Sequence, residues 1–126
     1  MVLGLGSDLI EIGRIAESMK RYGDRFLARV FTAGEIAFCQ RKRHHAAESF
    51  AARFAAKEAA AKALGTGISR GISWREIEVR RELGHRPEIV LHGRAKEWAA
   101  RMGVQKMHLT LTHSRDLAMA VVLAED

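Results

Sequence analysis

The sequence has almost no cysteine, which cross-links chains through disulfides, and almost no proline, which interrupts helices and strands. It holds one cysteine, Cys39, and one proline, Pro87, among 126 residues. A single cysteine cannot form an internal disulfide or a thiolate zinc site, which favours a reducing compartment. No apolar run approaches the roughly 18 residues that a membrane span needs, and no basic stretch precedes Val2 as in a secretory leader. We therefore expect a cytoplasmic protein that does not contact a membrane.

Aromatic residues are also scarce, at 6% of the chain, and 20 of the hydrophobic residues are alanine. A chain of this length buries roughly two-thirds of its unfolded surface, enough for one core. We expect a single domain over residues 1–126, with close helix packing and a thin core that gains from oligomerisation.

Acidic residues are outnumbered by basic ones, 15 against 21, which gives a net charge of +6. This excess indicates an anionic partner, either an acidic protein or a polyphosphate ligand. A basic nucleic-acid-binding module without catalysis is the alternative. Against nucleic acid, the dense basic run is confined to residues 41–45, and no aromatics alternate with basic residues to stack bases.

The hydrophobic periodicity predicts an α+β fold in which an antiparallel sheet packs on a long Ala-rich helix. A short buried strand is expected at the start, from Val2 to Asp8, and Asp24 is expected to cap the second helix. Thr32 and Glu35 form a capping-box pattern that opens the third. The other expected elements are helices at about 11–21, 25–31, 46–64 and 94–102, paired strands near 77–79 and 89–91 around a turn at 84–87, and a hairpin of strands at 107–113 and 117–123.

Two acidic residues lie where a core is expected. Asp8 comes at the end of the expected buried strand, where an unpaired carboxylate costs several kcal/mol, so it either caps the next helix or serves a metal or catalytic site. Glu58 and Lys62 share one helix face, as an ordinary ion pair does. In the functional interpretation, Asp8 and Glu58 hold Mg²⁺, which prefers oxygen ligands, while Lys62 reaches a phosphate.

Other features are less specific. The Gly4-Leu5-Gly6 and Gly65-Thr66-Gly67 segments lack the context of phosphate-binding loops, so we expect turns or helix caps there. His113 ends a strand, either as a core or hairpin histidine or as a phosphate-binding or proton-handling group. Arg14 and Arg21 share a helix face that is either solvated surface or a docking site for an acidic partner.

Two long motifs together closely resemble the holo-[acyl-carrier-protein] synthase family, the small class of 4′-phosphopantetheinyl transferases. They are residues 4–15, Gly-Leu-Gly-Ser-Asp-Leu-Ile-Glu-Ile-Gly-Arg-Ile, and residues 53–68, Arg-Phe-Ala-Ala-Lys-Glu-Ala-Ala-Ala-Lys-Ala-Leu-Gly-Thr-Gly-Ile. The likeness extends to Pro87 and to Leu111-Thr112-His113-Ser114, and so covers nearly the whole chain.

The resemblance implies transfer of 4′-phosphopantetheine from coenzyme A to a serine of apo acyl carrier protein, with release of adenosine 3′,5′-bisphosphate. It implies that Asp8, Glu58 and Lys62 are catalytic and that Asp8 and Glu58 bind Mg²⁺. The residues implied to bind coenzyme A are Arg53, Lys62, Gly65, Pro87 and His113. Glu58, a metal-bound water and His113 are the alternatives for the group that deprotonates the serine.

The resemblance also implies a docking surface and an assembly. Arg14, Arg21 and Arg25 match the region that binds the acidic carrier protein, and the family forms homotrimers with active sites between subunits. The chain has Gly84-His85-Arg86-Pro87 where many relatives have Gly-Lys-Pro, and residues 40–48 carry no family motif.

Overall fold

The computed structural model describes residues 1–82 and 84–126. In chain order the elements are β1 (Val2–Glu11), α1 (Ile12–Tyr22), α2 (Asp24–Val30), α3 (Ala33–Gln40), α4 (Ala46–Ala63), β2 (Ile77–Arg80), β3 (Glu88–Leu91), α5 (Gly93–Met102), β4 (Lys106–His113) and β5 (Leu117–Glu125). Within these two ranges, none of the helices combines the length and apolar character that crossing a bilayer requires.

In the described part of the chain the strands form two antiparallel sheets. The larger has the order β1-β5-β4, and the smaller is the β2–β3 hairpin. The register aligns Asp8 with Ala120 on the central strand, and Ala120 with Leu111 on β4. The predicted α+β class, with an antiparallel sheet on a long Ala-rich helix, is confirmed.

Strand β1 differs from the prediction of a short buried strand. It continues to Glu11, and its residues alternate between an exposed face and a face on the core. The buried face begins with Gly4 and Gly6, which have no side chains to show this alternation, while Val2, Leu3 and Leu5 make the segment look uniformly apolar.

Two predicted helix caps are wrong for related reasons. Because β1 continues past Asp8, this residue lies inside the strand, and α1 has Glu11 at its N-cap without a side-chain cap. Asp24 is already within α2, whose N-cap is Gly23. The capping box is confirmed: Thr32 accepts from the Glu35 N–H, and the Thr32 N–H donates to the Glu35 carboxylate.

Strand β1 lies directly on α4 because two glycines face the helix. A Cβ added to Gly4 would overlap the carbonyl oxygen of Ala63, and one added to Gly6 would overlap that of Ala59. The Gly4-Leu5-Gly6 segment therefore forms a close strand–helix contact, and the expectation of a turn is wrong. The buried alanines of α4 complete this tight interface.

A buried ion pair, Lys57 with Glu35, connects β2 to α4. The fully buried Lys57 ammonium donates to Glu35 Oε1 at 2.7 Å and to the carbonyls of Ile77 and Trp74 at 2.6 and 3.1 Å. The other Glu35 oxygen accepts from the Val79 N–H at 2.7 Å. Both charges of this buried pair are thus neutralised and hydrogen-bonded, as burial requires.

The sheet face that points away from α4 carries exposed apolar side chains. Leu5 is 64% exposed and Leu9 is 61% exposed, and Met119 lies opposite Leu9 on β5. Val121 and Leu123 continue the same face and are half-buried. A contiguous exposed apolar patch of this kind is typical of a protein contact surface.

Candidate active site

Asp8 and Glu58 line one cavity of about 490 Å³ between β1 and α4. Asp8 points towards α4 because it follows Gly6 on the same face of the strand. Side chains on a helix tilt towards its N-terminus. The Glu58 side chain therefore tilts in the direction in which β1 runs along α4, towards Asp8. The strand and the helix therefore bring together two residues that are far apart in the sequence.

The two carboxylates interact electrostatically. Burial raises the pKa of Glu58, the Asp8 carboxylate raises it further, and Lys62 opposes both effects. Lys62 Nζ lies 3.3 Å from Asp8 Oδ1 and donates to the Ser7 carbonyl at 2.9 Å. The cluster thus holds two mutually repelling acidic groups and one partly neutralising ammonium.

This donor set fits a hard divalent cation. Two repelling carboxylates at one cavity favour a bound cation, which relieves the repulsion. Within residues 1–82 and 84–126 there is no group of three or more His, Cys, Asp or Glu side chains placed to hold a metal. Two carboxylates fit Mg²⁺, which takes its remaining octahedral positions from water and phosphate oxygens.

His113 is exposed at the end of β4, where the hairpin to β5 begins, so it is not a core histidine, and the hairpin position remains. The register aligns it with Ala118 on β5, and Ala118 with Ile10 on β1. Ile10 lines the cavity of Asp8 and Glu58. His113 is therefore in the same cross-strand row as a residue of the cavity wall.

Arg53 is buried on a different side of α4. Its guanidinium donates to Ser49 Oγ at 3.0 Å and stacks 4.1 Å from the centre of the Phe38 ring. Its buried Nε has no hydrogen-bond partner. Arg53 is not among the residues that line the cavity of Asp8 and Glu58.

A second cavity, of about 440 Å³, lies beside Arg53 and is lined by several arginines. It opens between α3 and the β2–β3 hairpin, and Phe38 connects it to Arg53. The arginines are Arg41, Arg80, Arg81 and Arg86, and three glutamates line the same cavity, Glu78, Glu82 and Glu88. Sequence reasoning missed this cluster, because only the fold brings α3 against the two ends of the hairpin.

Gly65 and Pro87 lie at separate places in the chain. Gly65 follows α4 with a φ of +79°, in the left-handed conformation that stops a helix. Pro87 is half-buried just before β3, in a third cavity of about 260 Å³ that Met107 and Leu109 of β4 also line. A single chain therefore does not join Pro87 to the pair of carboxylates.

The predicted docking arginines are exposed on the first two helices: Arg14 and Arg21 on α1, and Arg25 on α2. Arg14 also lines the cavity of Asp8 and Glu58. An acidic partner bound to this surface would therefore lie at the mouth of the candidate active site.

Phe54 is a wall residue that the sequence reasoning did not single out as functional. It lines the cavity and stacks on Trp74, with ring centres 4.7 Å apart. The available signal is the spacing of four between Phe54 and Glu58, which places both on one face of α4.

Comparison with known proteins identifies the class. The sequence profile of the 4′-phosphopantetheinyl transferase superfamily matches residues 4–122, so the chain belongs to this superfamily. The resemblance read from the motifs is confirmed.

Individual relatives narrow the class to one kind of enzyme. The chain is 51% identical to holo-[acyl-carrier-protein] synthase from Koribacter versatilis over 126 residues, all of both proteins. It is 49% identical to the same enzyme from Moorella thermoacetica over 98% of this chain and 94% of that one.

Solved structures of holo-[acyl-carrier-protein] synthases also match this chain. The holo-[acyl-carrier-protein] synthase of Neisseria meningitidis matches with a TM-score of 0.90 and 32% identity over the whole of both chains. That of Helicobacter pylori, in complex with coenzyme A, matches with a TM-score of 0.84 and 32% identity over 96% of this chain and 99% of that one.

Proposed function

We propose that this chain transfers 4′-phosphopantetheine from coenzyme A to a serine hydroxyl of apo acyl carrier protein, with release of adenosine 3′,5′-bisphosphate. The observation that carries the proposal is the convergence of Asp8 and Glu58 on one cavity in a chain so similar to holo-[acyl-carrier-protein] synthases. A cytoplasmic location belongs to the proposal, since Cys39 is a buried free thiol.

Asp8 and Glu58 would hold Mg²⁺, and Lys62 would bind the diphosphate of coenzyme A. When bound, the metal ion spreads the negative charge of the diphosphate and orients it for in-line attack. Lys62 lies beside Asp8, so its ammonium reaches the same space as the carboxylates. Because Lys62 is 53% exposed, it is free to turn towards a phosphate.

The basic surface would bind the acyl carrier protein. Arg14 lies at the cavity, and Arg21 and Arg25 extend the positive surface outwards. An acidic partner is attracted to such a surface from a distance and is oriented on arrival. Docking there would bring the acceptor serine towards Asp8 and Glu58.

The remaining coenzyme A contacts belong to a composite site in a homotrimer. Arg53 and Pro87 lie away from the cavity of Asp8 and Glu58, which supports a ligand that touches two subunits. Arg53 and the adjoining arginine-lined cavity would bind phosphate of coenzyme A held by the neighbouring subunit. The exposed apolar face of the larger sheet supplies the contact surface.

The assembly is tested by charging that face. Leu5→Glu places a carboxylate within the apolar patch, so light scattering after gel filtration should show monomers. Tyr22→Glu is the matched control, because Tyr22 is 56% exposed on α1, away from the sheet. Trimers that persist in Leu5→Glu would contradict the proposed interface.

The activity is tested by incubating the protein with apo acyl carrier protein, coenzyme A and Mg²⁺ and weighing the carrier. The carrier should gain the mass of one phosphopantetheine, and Asp8→Asn should prevent the gain. An unmodified carrier, together with salt-sensitive binding to random DNA, would instead favour the nucleic-acid-binding alternative.

A further inference from the structure

Two glycine contacts hold β1 and α4 in register. Gly4 lies on the carbonyl of Ala63, and Gly6 lies on the carbonyl of Ala59, the residue that follows Glu58. Two strand residues advance about 6.6 Å and four helix residues about 6 Å, so the two spacings nearly match. The strand therefore follows the helix turn by turn towards its N-terminus.

Asp8 is the next residue on this face of β1 after Gly6. We infer that Gly6 is a positioning residue for the metal site: it lets β1 approach α4 so closely that Asp8 and Glu58 can share one divalent ion. The inference rests on the proposed function, since it assigns Gly6 a role in the metal site proposed there.

The requirement at this position is for space rather than for an unusual backbone. The backbone of Gly6 is that of a regular strand and does not have the positive φ that favours glycine. A methyl group there would overlap the Ala59 carbonyl oxygen, which belongs to the helix backbone and cannot rotate away. An added side chain must therefore move the strand itself.

A displacement at Gly6 would reach Asp8 because the two residues belong to one continuous, paired strand. The register pairs Gly6 with Val122 and Asp8 with Ala120 on β5. A shift on the order of 1 Å in a catalytic constellation can cost about a hundredfold in rate. Gly4 makes the same type of contact one helical turn further from Asp8, so it provides a matched control.

The test compares Gly6→Ala with Gly4→Ala. Both variants should lower the unfolding temperature, because both introduce the same overlap. Calorimetric titration of Mn²⁺ in the presence of saturating coenzyme A should show affinity about tenfold weaker or worse for Gly6→Ala. The Mn²⁺ affinity of Gly4→Ala should stay within about threefold of that of the natural chain, because its overlap lies one turn further from the carboxylates.

A rescue variant separates spacing from general damage. In the Gly6→Ala background, Asp8→Glu lengthens the carboxylate by one methylene and should recover part of the lost Mn²⁺ affinity. If Gly6→Ala does not fold, Asp8→Glu in the natural background serves as the second test. There the longer side chain carries its carboxylate past the position from which Asp8 can share an ion with Glu58, and Mn²⁺ affinity should fall by about fivefold.

An unchanged Mn²⁺ affinity in folded Gly6→Ala would overturn the inference while leaving the proposed function intact. A loss of Mn²⁺ affinity in Gly4→Ala as large as that in Gly6→Ala would do the same. Unchanged affinity in Asp8→Glu would do the same. Absence of Mn²⁺ binding in the natural chain would overturn the metal site itself, and the positioning role with it.

Discussion

Replacement of Lys57 by methionine should destabilise the protein far more than the same replacement of Lys62. Both lysines belong to α4, on either side of Glu58. Lys57 is fully buried against Glu35, whereas Lys62 is 53% exposed beside Asp8. The comparison therefore separates a buried ion pair from an exposed one on the same helix.

The expected magnitude follows from the contacts. Lys57→Met leaves the Glu35 carboxylate without its cation and two backbone carbonyls without a donor. Removing one partner of a buried pair costs about 3–5 kcal/mol. Glu35 keeps the N–H donors of Thr32 and Val79, so we expect the lower part, about 3–4 kcal/mol. At roughly 2.1 cal/mol/K per residue, the unfolding temperature should fall by about 11–15 °C.

Thermal unfolding followed by circular dichroism, at one protein concentration, measures the difference. Lys62→Met should cost less than about 1 kcal/mol, the usual value for an exposed pair. The double variant Lys57→Met with Glu35→Gln should cost less than its two single changes together, because no buried charge is left unpaired. If Lys57→Met lowers the unfolding temperature no more than Lys62→Met, the account of the buried pair is wrong.

Two further predictions concern the site. Burial and the neighbouring Asp8 raise the pKa of Glu58, so its ionised form destabilises the metal-free fold. Without metal, Glu58→Gln should therefore unfold at a higher temperature than the natural chain at pH 8. This difference in unfolding temperature should disappear as the pH falls through the raised pKa towards 4.5. A difference that does not change with pH would contradict the prediction. Joint replacement of Arg14 and Arg21 by alanine should raise KM for the carrier protein by about tenfold but that for coenzyme A by less than about twofold, with Arg101→Ala as the control. Equal rises for both substrates would show that this surface does not select the carrier.

Much of the candidate site could be predicted because its signals are local. Glu58 and Lys62 share a helix face by their spacing alone, and the capping box at Thr32 is a four-residue pattern. The association of Asp8 with Glu58 depends on the tertiary fold. It is one of two interpretations of acidic residues at expected core positions, and the resemblance of both motifs to one family favours it. The cavity that contains both residues agrees with that prediction.

Other features could not be predicted because they depend on packing between distant segments. Lys57 looks like a solvated charge in an Ala-rich helix, yet Glu35 and the β2 backbone surround it completely. The role of Gly6 depends on the Ala59 carbonyl, which no local pattern brings near. Arg53 likewise faces Phe38, so its separation from the carboxylate cavity became visible only in the fold.

Crystals grown with Mn²⁺ and coenzyme A provide the most direct measurement of the central claim. Anomalous scattering should locate one ion with carboxylate oxygens of both Asp8 and Glu58 at about 2.2 Å. An ion bound to one of these residues alone, or to neither, would contradict the account.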